Sequence, residues 1–376
     1  MAVRRVLILT AGFGEGHNAA ARNLSAAFKS ADPTLEVEMR DVFADAYGWL
    51  NRVAIRIYLF VINRLPRLWE AAFNWLDRSS AAADRIGTFG WAVKHLRLTI
   101  EKFRPDLVVS VYPGYNHLLD FLYPGGKSRP FRLVTIVTDS ITINRIWHTA
   151  DSDCFIVANE QTAAVMRAQG VAADRIRVLG FPVPAFFAVP RAPKTPPMQG
   201  EKWRVLLMVN SGRHLAMDVA RRLVEEKDIA FTVTVGRDTA LEEQMRALGD
   251  VTVYGWTSEL PRLMADAHIV ISKAGGATVQ ECLAAGTPMI VSQIVPGQEE
   301  GNARLIASAG AGRLALTVGA IAEGVREAIG NGGALWTTWH AAARHLGRPD
   351  AAREITEWLL HGEEMPALEV QGKTDA

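Results

Sequence analysis

The chain has 376 residues, 49% of them apolar and 22% charged, with a formal net charge of +1. That length suits two domains with filled cores, and the near-neutral balance excludes a nucleic-acid partner held by a global basic field. Its two cysteines, Cys154 and Cys282, lie far apart and imply neither a disulfide framework nor a zinc site.

The first apolar run, residues 6–10, is too short for a signal-peptide core and reads as a β-strand. It ends in Gly12, Gly14, Gly16 and His17, and residues 18–30 then read as a helix. The spacing departs from the dinucleotide fingerprint G-x-G-x-x-G, because His17 occupies the last position; a nicotinamide or flavin site is set aside. A histidine at a helix N-terminus has its pKa lowered by the dipole, and flanking glycines leave it uncovered. His17 reads as a general base at the sheet's carboxyl edge, or else as a helix-entry residue without chemistry.

Residues 47–78 do not share the βα rhythm. Trp49, Tyr58, Phe60, Trp69, Phe73 and Trp75 alternate there with Arg52, Arg56, Arg64, Arg67 and Arg78, and Pro66 divides the stretch into two expected helices. Interleaved rings and cations suit an anionic membrane surface; the other reading is an amphipathic pair packed on the domain. No apolar run reaches the length that spans a bilayer.

Further strands are expected at 37–39, 107–111, 133–137 and 154–157, with a helix at 161–168. Asp139 follows the strand at 133–137, either as a cleft residue or as an ordinary cap. Asp151 and Asp153 spell D-x-D but precede a strand and read as a turn, so no metal is expected. Pro182, Pro184, Pro190, Pro193, Pro196 and Pro197 then mark a linker.

The βα rhythm resumes with strands at 205–209, 231–235, 251–254, 269–271 and 289–291, and helices at 215–227, 259–265 and 277–285. Continuous apolar strands alternating with helices mean parallel sheets covered on both faces, here twice. Ligands in such sheets bind beyond the strands' carboxyl ends. The segment after the strand at 269–271 carries Ser272, Lys273, Gly275, Gly276, Ala277, Thr278 and Glu281. Glycines before a helix N-terminus admit a diphosphate to free N–H groups, or simply make a tight connection. Thr278 lies in the first turn and Glu281 one turn on, within reach of ribose hydroxyls. Gln298, Glu299 and Asn302 follow the next strand and emerge at the same edge.

This block, K-x-G-G-x-T-x-x-E followed by P-G-Q-E-x-G-N, resembles the C-terminal signature of the glycosyltransferases that include monogalactosyldiacylglycerol synthase, processive diacylglycerol glucosyltransferases and, more distantly, MurG. The loop ending in His17 resembles that family's G-G-G-H motif, and Asp139 its V-T-D element. The resemblance implies the GT-B fold, an α/β architecture of two Rossmann-like domains facing each other across a cleft. It implies that Glu281 holds the ribose, the Gly276–Thr278 amides the phosphate, and Gln298 and Glu299 the sugar hydroxyls. Trp256 stands where the family holds the uracil, and Ser211 and Gly212 occupy its glycine-rich donor loop, here poorer in glycine.

The resulting expectation is an acceptor domain over 1–185, a linker over 186–201, a donor domain over 202–348, a C-terminal helix over 349–362 and a flexible tail over 363–376. His17 or Asp139 is the base. The donor site comprises Gly16, Ser211, Gly212, Trp256, Ser272, Lys273, Gly275, Gly276, Ala277, Thr278, Glu281, Gln298, Glu299 and Asn302. The membrane and acceptor surface comprises Trp49, Arg52, Arg56, Arg64, Arg67, Trp69 and Trp75. The implied reaction is inverting transfer of glucose or galactose from a UDP-sugar to a membrane lipid, diacylglycerol, without a cofactor, at the inner face of the cell membrane. The rivals are a UDP-sugar 2-epimerase and a non-catalytic, nucleotide-sugar-sensing membrane-binding protein.

Overall fold

The computed structural model describes residues 3–65, 67–69, 71, 89–210 and 212–362. The chain divides into two compact units, Met1–Pro182 with Ala351–Ala376, and Val183–Asp350.

The first unit holds a parallel sheet of β1 (Arg5–Leu9), β2 (Glu36–Arg40), β3 (Leu107–Ser110), β4 (Arg132–Ile136), β5 (Cys154–Val157) and β6 (Ile176–Val178), in the order β2-β1-β3-β4-β5-β6. Strands β3 and β5 are buried along their whole length, as their unbroken apolar runs require. The helices are α1 (Glu15–Ala31), α2 (Val42–Tyr47), α3 (Trp49–Arg64), α4 (Gly90–Phe103), α5 (Pro113–Leu122) and α6 (Glu160–Ala168). The strand order reverses between β1 and β3, which makes their carboxyl ends the topological switch point.

The second unit repeats the plan with β7 (Trp203–Met208), β8 (Ile229–Thr234), β9 (Thr252–Tyr254), β10 (Ile269–Lys273), β11 (Met289–Gln293) and β12 (Gly312–Leu314). Its order is β12-β11-β10-β7-β8-β9, reversing between β7 and β10. Its helices are α7 (Arg213–Leu223), α8 (Thr239–Arg246), α9 (Leu260–Asp266), α10 (Gly276–Ala284), α11 (Glu300–Ser308) and α12 (Val318–Leu346). Helix α12 is broken at Gly330–Gly333; Gly333 has φ +80°, and a Cβ there would meet the Trp203 indole at 2.4 Å. Strands β6 and β12 and helix α12 were not foreseen from the sequence. The two strands are three residues each, too short for a periodic signal.

The last helix, α13 (Ala351–His361), returns to the first unit and packs against α1. Arg132 donates to the Leu359 carbonyl at 3.2 Å, and the Arg177 guanidinium stands over the Trp358 ring at 5.7 Å. The D-x-D pair is structural. Arg129, itself buried, pairs with both Asp151 and Asp153, and Arg175 reaches Asp151 at 3.0 Å. The remaining Asp153 oxygen accepts from the Leu133 N–H at 2.7 Å.

Candidate active site

In the first unit, the chain leaves β1 through Gly12 and Gly14 and enters α1 with His17 in its first turn. Asp41 holds this loop: one carboxylate oxygen accepts from the Gly12 N–H at 2.9 Å, the other caps α2 through the Ala44 N–H. His17 Nδ1 lies 2.8 Å from the Val111 carbonyl oxygen and 3.0 Å from Thr138 Oγ1. A carbonyl only accepts, so Nδ1 carries the hydrogen and Nε2 keeps its lone pair. The residues responsible follow β1, β3 and β4, three neighbouring strands that meet at the switch point.

Two rings flank the imidazole: Tyr112 edge-on at 5.2 Å and Trp147 at 6.0 Å. The glycines therefore do not leave His17 uncovered, as the sequence suggested. Burial, opposed by the Val111 bond, lowers its pKa to about 4. Desolvation, rather than the helix dipole, is the leading cause. The same Trp147 donates from its indole nitrogen to Asp139 Oδ2 at 2.8 Å. Two residues on, Ile141 has φ +60°, a strained conformation for a β-branched side chain, beside the proposed chemistry. Val111, Tyr112 and Trp147 were missed in the sequence, because none carries a motif signal of its own, and Thr138 was passed over although it is the middle residue of the V-T-D element.

Beside His17 lies an apolar cavity of about 360 Å³, walled by Phe13, Phe43, Leu50, Ala54, Phe89 and Tyr112 among others. Phe13 stacks on Tyr112 at 5.8 Å, so the cavity and the histidine share a wall. Helix α3 contributes Leu50, Asn51 and Ala54 to its walls. Asn51, Ile55, Tyr58 and Ile62 form its covered or half-covered face, while Trp49, Val53, Ile57 and Phe60, spaced one turn apart, are exposed. Arg52 and Arg56 are exposed on the same helix, and Arg67 is exposed beyond it. Trp69 is half-buried against Tyr58, ring centroids 5.1 Å apart, rather than open to a surface. Trp75 and the side chain of Arg64 lie outside the described residues.

In the second unit, the N-termini of α7, α10 and α11 follow three adjacent strands, β7, β10 and β11. Their free N–H groups and dipole ends gather at one sheet edge, an arrangement suited to a diphosphate. Gly212 begins α7 with φ +72°, and a Cβ there would strike the Gln293 amide at 2.1 Å. Gly275 is the N-cap of α10. A Cβ on it would stand 3.7 Å from both Lys273 Cε and Thr278 Oγ1, and 3.8 Å from Glu299 Oε1. Lys273, Thr278 and Glu299 thus converge on the space beside Gly275, with Gly276 and Ala277 supplying the next amides. Lys273 Nζ pairs with Glu299 Oε1 at 2.5 Å, while Glu299 Oε2 accepts from the Val295 N–H at 3.0 Å.

Two expected donor contacts are struts instead. Ser272 is fully buried and accepts from Asn210 Nδ2 at 3.0 Å, tying the ends of β7 and β10 together. Asn302, 1% exposed, donates to the Ala274 carbonyl at 3.0 Å and ties α11 to the glycine turn. Glu281 and Gln298 are partly exposed. Trp256 is 70% exposed with the Arg237 guanidinium 5.6 Å from its ring. Gly16 lies in the first turn of α1, in the other unit, and Ser211 lies outside the described residues.

Residues 17–183 match the family model for monogalactosyldiacylglycerol (MGDG) synthase, and residues 213–332 match that for the glycosyltransferase family 28 C-terminal domain. The chain is 25% identical over 389 residues to monogalactosyldiacylglycerol synthase 3, chloroplastic, of Arabidopsis thaliana, covering 96% of this chain and 81% of that protein. It superposes on MurG of Acinetobacter baumannii with a TM-score of 0.57 at 14% identity, covering 95% of this chain and 99% of that one. It matches UDP-GlcNAc 2-epimerase of Neisseria meningitidis with a TM-score of 0.58 at 14% identity, covering 95% and 99%. At such identities these superpositions speak for the fold alone. The first half of the chain thus matches one transferase model, the second half another, and a relative aligns along nearly its whole length: the chain is a UDP-sugar-dependent glycosyltransferase of GT-B fold that is similar to the monogalactosyldiacylglycerol synthases.

Proposed function

We propose that the protein moves a hexose from a UDP-sugar to the free hydroxyl of diacylglycerol, with inversion at the sugar carbon. The observation that carries this reading is a neutral His17, its Nε2 lone pair free, sharing the Tyr112 wall with an apolar cavity. The cavity's size falls in the usual range for ligand sites, and its rings suit a lipid body whose hydroxyl lies at the histidine. In the reaction the acceptor oxygen bonds to the anomeric carbon while the bond from that carbon to the diphosphate breaks. The hydroxyl proton passes to His17 Nε2, and UDP leaves with the electron pair. The N-terminus of α10 opposes the charge that develops on the leaving diphosphate, so we assign this step no metal.

Among the described residues no helix is long and apolar enough to cross a membrane. Helix α3 offers a different route to the lipid. Its outer stripe of Trp49, Val53, Ile57 and Phe60 beds into the interface, and Arg52 and Arg56 meet anionic headgroups. Its Leu50, Asn51 and Ala54 wall the acceptor cavity. On this reading the protein works peripherally, at the inner face of the cell membrane.

The fold is shared with a 2-epimerase, so the test must separate the reactions. Purified protein is incubated with labelled UDP-glucose or UDP-galactose and diacylglycerol vesicles. Label in the lipid fraction is the expected result. A changed sugar nucleotide without lipid label would establish the epimerase, and binding without turnover would establish a sensor.

A further inference from the structure

A second cavity, about 400 Å³, lies at the far edge of the second unit's sheet, where β10 and β11 begin rather than where they end. The donor loops do not reach it. Its walls come from residues 187–194, the C-terminal end of α10 and the second half of α12. Three cations line it, Arg191, Lys194 and Arg344, and no carboxylate does.

Among the described residues none of the three forms a salt bridge, although Asp266 acts on Lys194 from farther off. The Lys194 ammonium turns inward, donating to Thr287 Oγ1 and, at 3.5 Å, to the Met264 carbonyl. Burial, with Arg204 and Arg191 adding to it and Cys282 and Asp266 opposing it, lowers its pKa to about 7. Arg191 donates to the Phe186 carbonyl at 2.9 Å and stacks on the Phe186 ring. Arg344 is exposed at the rim.

His340 adds a second, separate demand. It is 8% exposed, stacked face to face on Trp336 at 4.9 Å, and its Nδ1 lies 2.5 Å from the Gly286 carbonyl. Because that carbonyl accepts, Nδ1 carries the hydrogen and Nε2 is a bare acceptor. Nε2 is buried without any partner. Burial, opposed by the Gly286 bond and helped by Lys194 and Arg344, pushes the ring's pKa down. Such an orphaned acceptor in a native structure calls for an explanation.

We propose that this cavity binds a small phosphate-bearing anion that also carries a hydrogen to donate. Inorganic hydrogen phosphate and hydroxylated phosphate monoesters form that class. Lys194 and Arg344 hold its charge, and His340 Nε2 accepts its hydrogen. Phe187 and the neighbouring prolines leave room for the organic part of a monoester. The site is separate from the donor site, so both are filled together.

Calorimetry on the full chain, kept saturated with UDP, tests this with inorganic phosphate, glycerol 3-phosphate and sulfate at equal ionic strength. Sulfate matches phosphate in shape and charge but has no hydrogen for His340. Phosphate or glycerol phosphate should bind at least about tenfold more tightly than sulfate, the loss of one hydrogen bond. Lys194→Met, of similar length and apolar, should keep the thermal midpoint and weaken phosphate binding by about tenfold or more. Arg344→Gln, at an exposed position, should weaken it likewise and carries the test should Lys194→Met fail to fold. Equal affinity for phosphate and sulfate, unchanged binding in both variants, or phosphate binding that disappears once UDP is present would each overturn the proposal; the last would assign the anion to the donor site.

Discussion

His17 donates from Nδ1 to the Val111 carbonyl oxygen at 2.8 Å, a bond that joins the ends of β1 and β3 where the strand order reverses. It fixes the tautomer, and with it which nitrogen is free to take a proton. Burial then keeps that nitrogen unprotonated across the physiological range. Orientation and basicity are thus set by two different features of one site.

As a base, His17 contributes about 10²–10⁴ in rate. His17→Gln should lose that much turnover while UDP affinity, measured by calorimetry, stays unchanged, since the donor residues belong to the other unit. Wild-type kcat/KM should hold as pH falls and then drop with a midpoint of about 4, rather than near the ordinary histidine value of 6.5. The same shift affects stability. Below 6.5 the unfolded chain takes up a proton that the folded one refuses, so stability falls as pH drops from 6.5 towards about 4. Denaturant midpoints measured over that window should fall less steeply in His17→Gln.

Glu281 lies in α10, three residues beyond Thr278, and is partly exposed. As the ribose partner it should be worth about 1.5–3 kcal/mol of UDP affinity, the range for a hydrogen bond to a charged group. Glu281→Ala should show that loss in calorimetry with little change in thermal midpoint. An unchanged dissociation constant would remove the ribose from this residue.

Transfer should continue at full rate in excess EDTA. The carboxylates of Asp151 and Asp153, the D-x-D pair, are occupied by Arg129, Arg175 and the Leu133 N–H. Activity that is lost with chelator and restored by Mg²⁺ or Mn²⁺ would show that the helix N-termini do not carry the diphosphate charge alone.

Binding to vesicles should rise with anionic lipid and fall with salt, each arginine near the surface contributing roughly 1 kcal/mol. Replacing Arg52, Arg56, Arg64 and Arg67 with glutamate should abolish co-sedimentation and leave UDP binding intact. Separately, Ala54→Phe narrows the acceptor cavity from α3 and should raise the KM for diacylglycerol with UDP affinity unchanged. Co-sedimentation equal to the parent's would make residues 47–78 ordinary domain packing.

The sequence by itself determined the two βα repeats and the positions of the chemistry on them. Continuous apolar strands such as Leu107–Ser110 and Cys154–Val157 can be satisfied only between two covered faces, and glycines before Gly276 leave helix N–H groups open. These are local properties, fixed by neighbours in the chain. The return of α13 to the first unit, the Trp147 bond to Asp139, the tautomer of His17 and the unmet His340 Nε2 were decided only by the tertiary structure. Each depends on partners that are distant in sequence or lie in irregular loops, where no periodicity marks them. Ser272 and Asn302 illustrate the limit. Their motif positions were plain, but whether a hydroxyl or an amide faces a ligand or a neighbouring strand is settled by burial, which spacing does not encode.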